Sequence, residues 1–160
     1  MRFNVCCWLV ALASLPLAVH ATSFEIAAGP SVSSSGRTTS SVFASAFGDR
    51  PMDGRVHVEP IGTLGWLDSR STRKDNLHHE VFLAAAGVRI VSAGHHWFVS
   101  EQLAATSTRT DALSSRLEFM TSGGWQGEHL VVMLRHVSNA HLLGGGKNLG
   151  ETMLLGGVRF

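Results

Sequence analysis

The chain has 160 residues, of which 44% are hydrophobic, and its thirteen Lys and Arg nearly balance its twelve Asp and Glu. This charge balance excludes the basic excess typical of nucleic-acid-binding proteins, so we expect no nucleic-acid partner. The length is that of one domain, and no apolar run reaches the about 20 residues of a membrane-spanning helix, which excludes an α-helical membrane protein.

The first 21 residues have the features of a secretory signal peptide. A positive start at Arg2 is followed by an apolar run over residues 5–19, and Val19-His20-Ala21 supplies the small residues accepted at a cleavage site. Cleavage after Ala21 leaves residues 22–160 as the mature domain. Both cysteines of the chain lie in the leader, so disulfides, thiolate zinc sites and a cysteine nucleophile are excluded.

Two-residue alternation of side chains dominates the mature chain, as in the segment where Phe24 and Ile26 flank Glu25. This is the period of a strand whose two faces meet different surroundings. Eight such segments are predicted, at residues 22–33, 39–48, 55–67, 79–91, 96–107, 113–122, 128–138 and 151–160. The predicted fold is an all-β, eight-stranded antiparallel up-and-down barrel, with Gly123-Gly124-Trp125-Gln126-Gly127 as the turn between the sixth and seventh strands.

The terminal Phe160, preceded by alternating apolar residues, resembles the ending of outer-membrane barrels. Strands of about 10 tilted residues span the hydrocarbon with an apolar outside and a smaller or polar inside. We therefore expect a transmembrane barrel in the cell outer membrane, with four acidic residues inside it as paired structural charges: Glu25, Glu59, Glu101 and Glu118. The chain has no Tyr for an interfacial girdle, which leaves Trp66, Trp97 and Trp125. The alternative is a soluble sandwich or lipocalin-like barrel that carries lipid.

Strand seven holds a histidine and a serine on one face. Its parity places His136 and Ser138 in line with Leu130, Val132 and Leu134, which identifies that face as lipid-facing. Polar groups directed at hydrocarbon are costly, so this pair needs a reason. Neighbours on one face are about 6–7 Å apart, a gap that an imidazole leaning along the strand can close. A hydrated histidine at the membrane interface is the alternative.

The longer string supports a functional interpretation. Arg135-His136-Val137-Ser138-Asn139-Ala140 is followed by a glycine-rich stretch at 144–146, then by Asn148-Leu149-Gly150-Glu151 and the terminal Phe160. This string resembles the carboxyl-terminal motif of the PagL-type lipid A 3-O-deacylases over about 25 residues. The resemblance implies an esterase that removes the 3-hydroxyacyl chain at position 3 of lipid A, with lipopolysaccharide and the outer membrane as its partners.

Carried over by position, the resemblance implies a serine-hydrolase site without cofactor or metal. Ser138 would be the nucleophile, His136 the general base and Glu151 the acid that orients the imidazole. Asn139 and the backbone N–H of Ala140 would donate to the oxyanion. Asn139 can equally be a turn residue that ends the strand.

This chain departs from the family pattern at two places. His141 stands where the family usually has Gly, and Glu151 follows Gly150 directly where family members often have one residue between them. Counted back from Phe160, Thr152 and not Glu151 shares the face of His136. Either a bulge turns Glu151 outward, or a His-Ser dyad is assisted by Thr152.

Basic side chains are candidates for binding the lipid A phosphates. Arg135 adjoins the site, although its parity is opposite to that of His136, and the loops carry a further set, with a solvated surface as the alternative: Arg70, Arg73, Lys74 and Arg109. The neighbouring histidines at 78–79 and 95–96 match no zinc spacing. A homodimer is possible, and a non-enzymatic barrel serving adhesion or membrane integrity is the competing function.

Overall fold

The computed structural model describes residues 21–33, 36–48, 56–71, 76–139 and 150–160. Eight strands form a closed antiparallel barrel in sequence order, β1 pairing with β8. Their bounds are β1 Ala21–Val32, β2 Thr38–Gly48, β3 Val56–Leu67, β4 Val81–Ser92, β5 Trp97–Thr106, β6 Leu117–Gln126, β7 Leu130–Ser138 and β8 Glu151–Arg159. The predicted barrel is confirmed. The predicted leader lies outside the described residues except for Ala21, where β1 begins, and no helix in the described part is long and apolar enough to cross a membrane.

The sixth strand is the one that the sequence placed poorly. It was expected at 113–122 with a turn at 123–127, but β6 continues to Gln126. A Cβ on Gly124 would lie 2.8 Å from the Cα of Met133 on β7, so this glycine serves close packing of two strands and not a turn. Residues 107–116 connect β5 to β6, and within this loop the Leu113 N–H donates to the Thr110 hydroxyl at 3.0 Å.

The barrel has two distinct ends. Ala21, Phe160 and the connection at residues 127–129 lie at one end, here called the terminal end. Strands β1, β3, β5 and β7 end at the other, here called the loop end. Trp97 and Trp125 face each other across β5 and β6 at the terminal end, whereas Trp66 lies at the loop end of β3.

Alternation sorts the side chains between a packed interior and the outward-facing surface, here called the outer wall. Large apolar side chains are exposed on the outer wall, as Leu64 (66%) and Leu134 (56%) illustrate. The interior holds several charged side chains: Glu25, Glu118, Arg89 and Arg135 are all at most 2% exposed.

Buried charges at the terminal end form one network around Arg89. Its guanidinium donates to Glu25 Oε2 at 3.1 Å and to the side-chain oxygen of Gln126, and it lies 3.5 Å from the ring centre of Phe98. Arg159 donates to the same Gln126 oxygen at 2.7 Å and to Glu59 at 3.3 Å. This network pairs Arg89 with Glu25 and Arg159 with Glu59, so the buried charge at this end is compatible with a stable fold.

We expect Glu25→Ala to lower the free energy of unfolding by about 3 kcal/mol, because it leaves the Arg89 charge buried without its closest carboxylate. Equilibrium urea unfolding of the purified barrel measures this change. Glu80→Ala, which removes an exposed carboxylate, is the control and should stay within about 0.5 kcal/mol of the parent protein. Equal stability of the two variants would contradict the network's structural role.

Candidate active site

Most polar side chains of the outer wall that the structure describes lie in one region. Along the described strands, outward side chains are apolar or small, apart from Thr38 and Ser40 at the loop end of β2 and Ser92 at the terminal end of β4. The remaining outward polar side chains are neighbours on β5 to β8, and we call them the polar patch: Glu101, Thr121, His136, Ser138 and Thr152.

Strand register brings four of these residues into one row. Glu101 is opposite Thr121, Thr121 is opposite His136, and His136 is opposite Thr152. Ser138 lies two positions further along β7 on the same face, at the strand's loop end. The expected placement of His136 and Ser138 on one outward face therefore matches the strand parity.

The His136 imidazole is held by β8. Its Nδ1 is 3.0 Å from the Thr152 hydroxyl, and its ring lies against Gly150, where a Cβ would be 2.7 Å from Cε1 and 3.0 Å from Nε2. Gly150 has φ of +64°, a left-handed conformation that favours glycine. The ring therefore leans toward the loop end, with Nδ1 engaged and Nε2 on the side where β7 ends in Ser138.

Ser138 is half-buried beside the ring of Phe119, its cross-strand neighbour. Among the described residues its hydroxyl forms no hydrogen bond to His136. Bonds between a nucleophile and its base are often long in unliganded hydrolases and tighten when substrate binds, so a dyad does not require this bond in the unliganded protein.

Glu151 does not contact His136, and the prediction that it orients the imidazole is wrong. Its carboxylate is 0% exposed inside the barrel, where it pairs with the Arg70 guanidinium and accepts from the Ser31 hydroxyl at 2.5 Å. The register between β7 and β8 is continuous from the Leu130–Val158 pair to the Val137–Glu151 pair, so no bulge turns the Glu151 side chain outward. Of the two alternatives, a bulge at Glu151 or assistance from Thr152, the structure places Thr152 beside the His136 ring.

Arg135 and Asn139 also point into the barrel, which corrects their expected roles. Arg135 is 2% exposed, donates from Nε to Ser122 Oγ at 2.9 Å and stacks on Phe43. Asn139 is 0% exposed, and its Nδ2 donates to Ser114 Oγ at 3.0 Å. Adjacent strand residues face opposite sides, so neither side chain can reach a substrate or an oxyanion on the outer wall. Ala140 lies outside the described residues, and its oxyanion role stays a prediction.

The basic residues of the loops are divided. Arg70 is committed to Glu151 in the interior, which corrects its expected availability for phosphates. Arg109 is exposed in the connection between β5 and β6 at the loop end, whereas Arg73 and Lys74 lie outside the described residues. Among the described members, Arg109 stays a candidate for contact with an anionic headgroup.

The sequence did not predict two members of the polar patch, Glu101 and Thr121. Glu101 was expected inside the barrel with Glu25, Glu59 and Glu118, but it is exposed on the outer wall. The signal lay in the alternation, because Glu101 is in phase with the outward Val99 and not with the buried Gln102. Thr121 donates to Glu101 Oε2 at 2.6 Å.

A groove of about 430 Å³ crosses the outer wall between β3 and β5. Its hydroxyls are already bonded: Thr106 donates to the Ser115 carbonyl at 3.0 Å, and Ser107 accepts from the Phe82 N–H at 3.0 Å. The rest of its lining is apolar or Gly. This groove has no base beside a hydroxyl, so the polar patch is the better candidate for chemistry.

Gly150→Ala should displace the imidazole and break its hydrogen bond to Thr152, because the added Cβ overlaps the ring and the positive φ costs a further about 1–2 kcal/mol. Nitrogen NMR of the His136 ring in micelles measures the change. Gly156→Ala on β8, where a Cβ meets nothing within 4 Å, is the control. An unchanged His136 signal in Gly150→Ala would contradict this packing.

Comparison of the chain with protein-family models, with curated proteins and with solved structures gave no match. The resemblance of residues 135–160 to the lipid A deacylases therefore stays a prediction.

Proposed function

We propose that this protein is an outer-membrane esterase that removes the 3-hydroxyacyl chain at position 3 of lipid A, using Ser138 as nucleophile and His136 as base. The observation that carries the proposal is the polar patch, which puts a histidine and a serine on the outward, otherwise apolar face of β7. A water-soluble substrate gives no reason for such a location. A substrate whose acyl chains lie beside the barrel gives a reason for it.

Membrane insertion is supported by the distribution of side chains. A soluble protein rarely exposes a continuous apolar surface of this extent, whereas a transmembrane barrel requires one. Trp97 and Trp125 at the terminal end and Trp66 at the loop end are suited to the two interfaces. The inward charges then lie away from lipid, which fits the expected outer membrane location.

The height of the site fits an ester near the membrane surface. With both termini in the periplasm, the loop end faces the exterior. Ser138 ends β7 at that end, so it would lie near the outer interface, where the sugar-linked esters of lipid A are found. Arg109 in the adjoining loop is exposed and suited to an anionic headgroup.

The first half of the reaction forms an acyl-enzyme. His136 Nε2 takes the Ser138 proton while Oγ attacks the ester carbonyl carbon, and Thr152 accepts from Nδ1 to hold the tautomer. The tetrahedral intermediate collapses by breaking the bond between the carbonyl carbon and the sugar oxygen. The imidazolium returns its proton to that oxygen, which leaves as the free 3-hydroxyl group.

The second half of the reaction releases the fatty acid. Water enters from the exterior at the loop end, His136 takes its proton, and the hydroxide attacks the acyl carbon on Ser138. The bond to Oγ breaks and the imidazolium reprotonates the serine. The sum of both halves is one water consumed, one 3-hydroxy fatty acid released and the site restored.

Ser138→Ala and His136→Ala should each lower lipid A deacylation by at least about 1,000-fold, because each removes one half of the dyad. Mass spectrometry of lipid A from cells producing each variant measures the acyl chain, and heat-modifiable migration checks the barrel. Ser40→Ala, which removes another outward serine at the loop end, is the control. Intact lipid A with a folded parent barrel present would instead indicate a non-enzymatic barrel.

Thr152→Val should lower kcat about 10-fold, the equivalent of one hydrogen bond to the base, whereas Glu151→Gln should leave kcat per folded barrel within about twofold. Glu151→Gln is expected to lower the urea midpoint instead, because it weakens the buried pair with Arg70. Kinetics on purified lipid A in detergent separate the two effects. A larger kcat loss in Glu151→Gln than in Thr152→Val would return the supporting role to the carboxylate.

A further inference from the structure

Glu101 is a carboxylate in the middle of an apolar surface. It is the fifth residue of β5, its same-face neighbours are Val99 and Leu103, and Val88 is opposite it on β4. If the barrel spans a membrane, this side chain faces hydrocarbon, where an ionisable residue is costly and usually functional. Its position calls for a partner of opposite or inducible charge.

The row of polar side chains extends from Glu101 toward β6 and β7. Thr121 donates its hydroxyl proton to Glu101 Oε2 at 2.6 Å, which leaves the Thr121 oxygen with only lone pairs to offer. The residue opposite Thr121 on the next strand is His136. Neighbouring strands are about 4.8 Å apart, so the carboxylate lies within two strand spacings of the imidazole on the same face.

The immediate neighbours of His136 on the outer wall supply no charge. β6 presents Phe119 and Thr121, and β8 presents Thr152 and Leu154. On β7 itself the same-face neighbours are Leu134 and Ser138. The charged groups Arg135 and Glu151 face the interior, on the other side of the sheet. Among the described side chains of the outer wall, Glu101 is the closest carboxylate along the row.

We propose that Glu101, acting through Thr121, is the counter-charge for the His136 imidazolium and thus a positioning residue of the site. This inference rests on the proposed function. Each half of the reaction passes through an imidazolium, which in serine hydrolases is stabilised by a carboxylate. Thr152 can orient the ring but carries no charge, and Glu151 is committed to the interior. Glu101 supplies the missing charge in surroundings of low dielectric, where its effect persists over more than one contact.

The test compares Glu101→Gln, Thr121→Val and Glu80→Gln in lipid A hydrolysis by the full mature barrel. Glu101→Gln keeps the side-chain shape and removes the charge, and Thr121→Val removes the hydroxyl that lies between Glu101 and His136 in the row. Glu80→Gln is the matched control, because Glu80 is an exposed carboxylate that accepts from Trp66 Nε1 away from the patch. The readouts are kcat and KM, with heat-modifiable migration as the check on folding.

We expect Glu101→Gln to lower kcat about 10-fold with KM within about twofold, because the charge matters only when the imidazolium forms. Thr121→Val should also lower kcat with KM little changed, and Glu80→Gln should change neither. An active parent with an unchanged Glu101→Gln would overturn this inference alone. A folded but inactive parent would overturn it together with the proposed function.

Discussion

Two-residue alternation in a closed sheet is the constraint on which the structure depends. Closure leaves each strand with one face toward the packed interior and one toward the surroundings, so every side chain is assigned to a side by its parity. Inside this barrel Glu25 and Arg89 form an ion pair, and Arg135 donates to the Ser122 hydroxyl. The side chains assigned to the outer wall are mostly apolar, so the few polar groups on it stand out.

The candidate site follows from this rule applied across strands. Register brings residues far apart in the chain, Glu101, Thr121, His136 and Thr152, into one row. At one end of the row Thr121 donates to the Glu101 carboxylate, and at the other end the His136 imidazole is hydrogen-bonded to the Thr152 hydroxyl. The arrangement differs from a triad with adjacent carboxylate and imidazole, because Thr121 lies between Glu101 and His136 in the row. The position of the row on the apolar outer wall is the reason for proposing a lipid substrate.

Parity also explains which expected site residues were misplaced. Arg135, Asn139 and Glu151 adjoin His136, Ser138 and Thr152 in sequence, and adjacent strand residues must face opposite sides unless a bulge intervenes. The continuous register between β7 and β8 excludes that bulge at Glu151. Inside the barrel these three side chains bond to Ser122, Ser114 and Arg70, partners from other strands and loops that no local pattern could identify.

The sequence by itself determined the number of strands, most of their bounds and the shared face of His136 and Ser138, because these depend on a local period of two. It also contained the outward phase of Glu101, although that signal competes with the expectation that charges are buried in pairs. Only the tertiary structure decided that β6 continues through Gly123 and Gly124, that Thr152 supports the imidazole, and that Glu151 pairs with Arg70. Those features depend on register and on packing between distant segments, which a single strand's pattern does not encode.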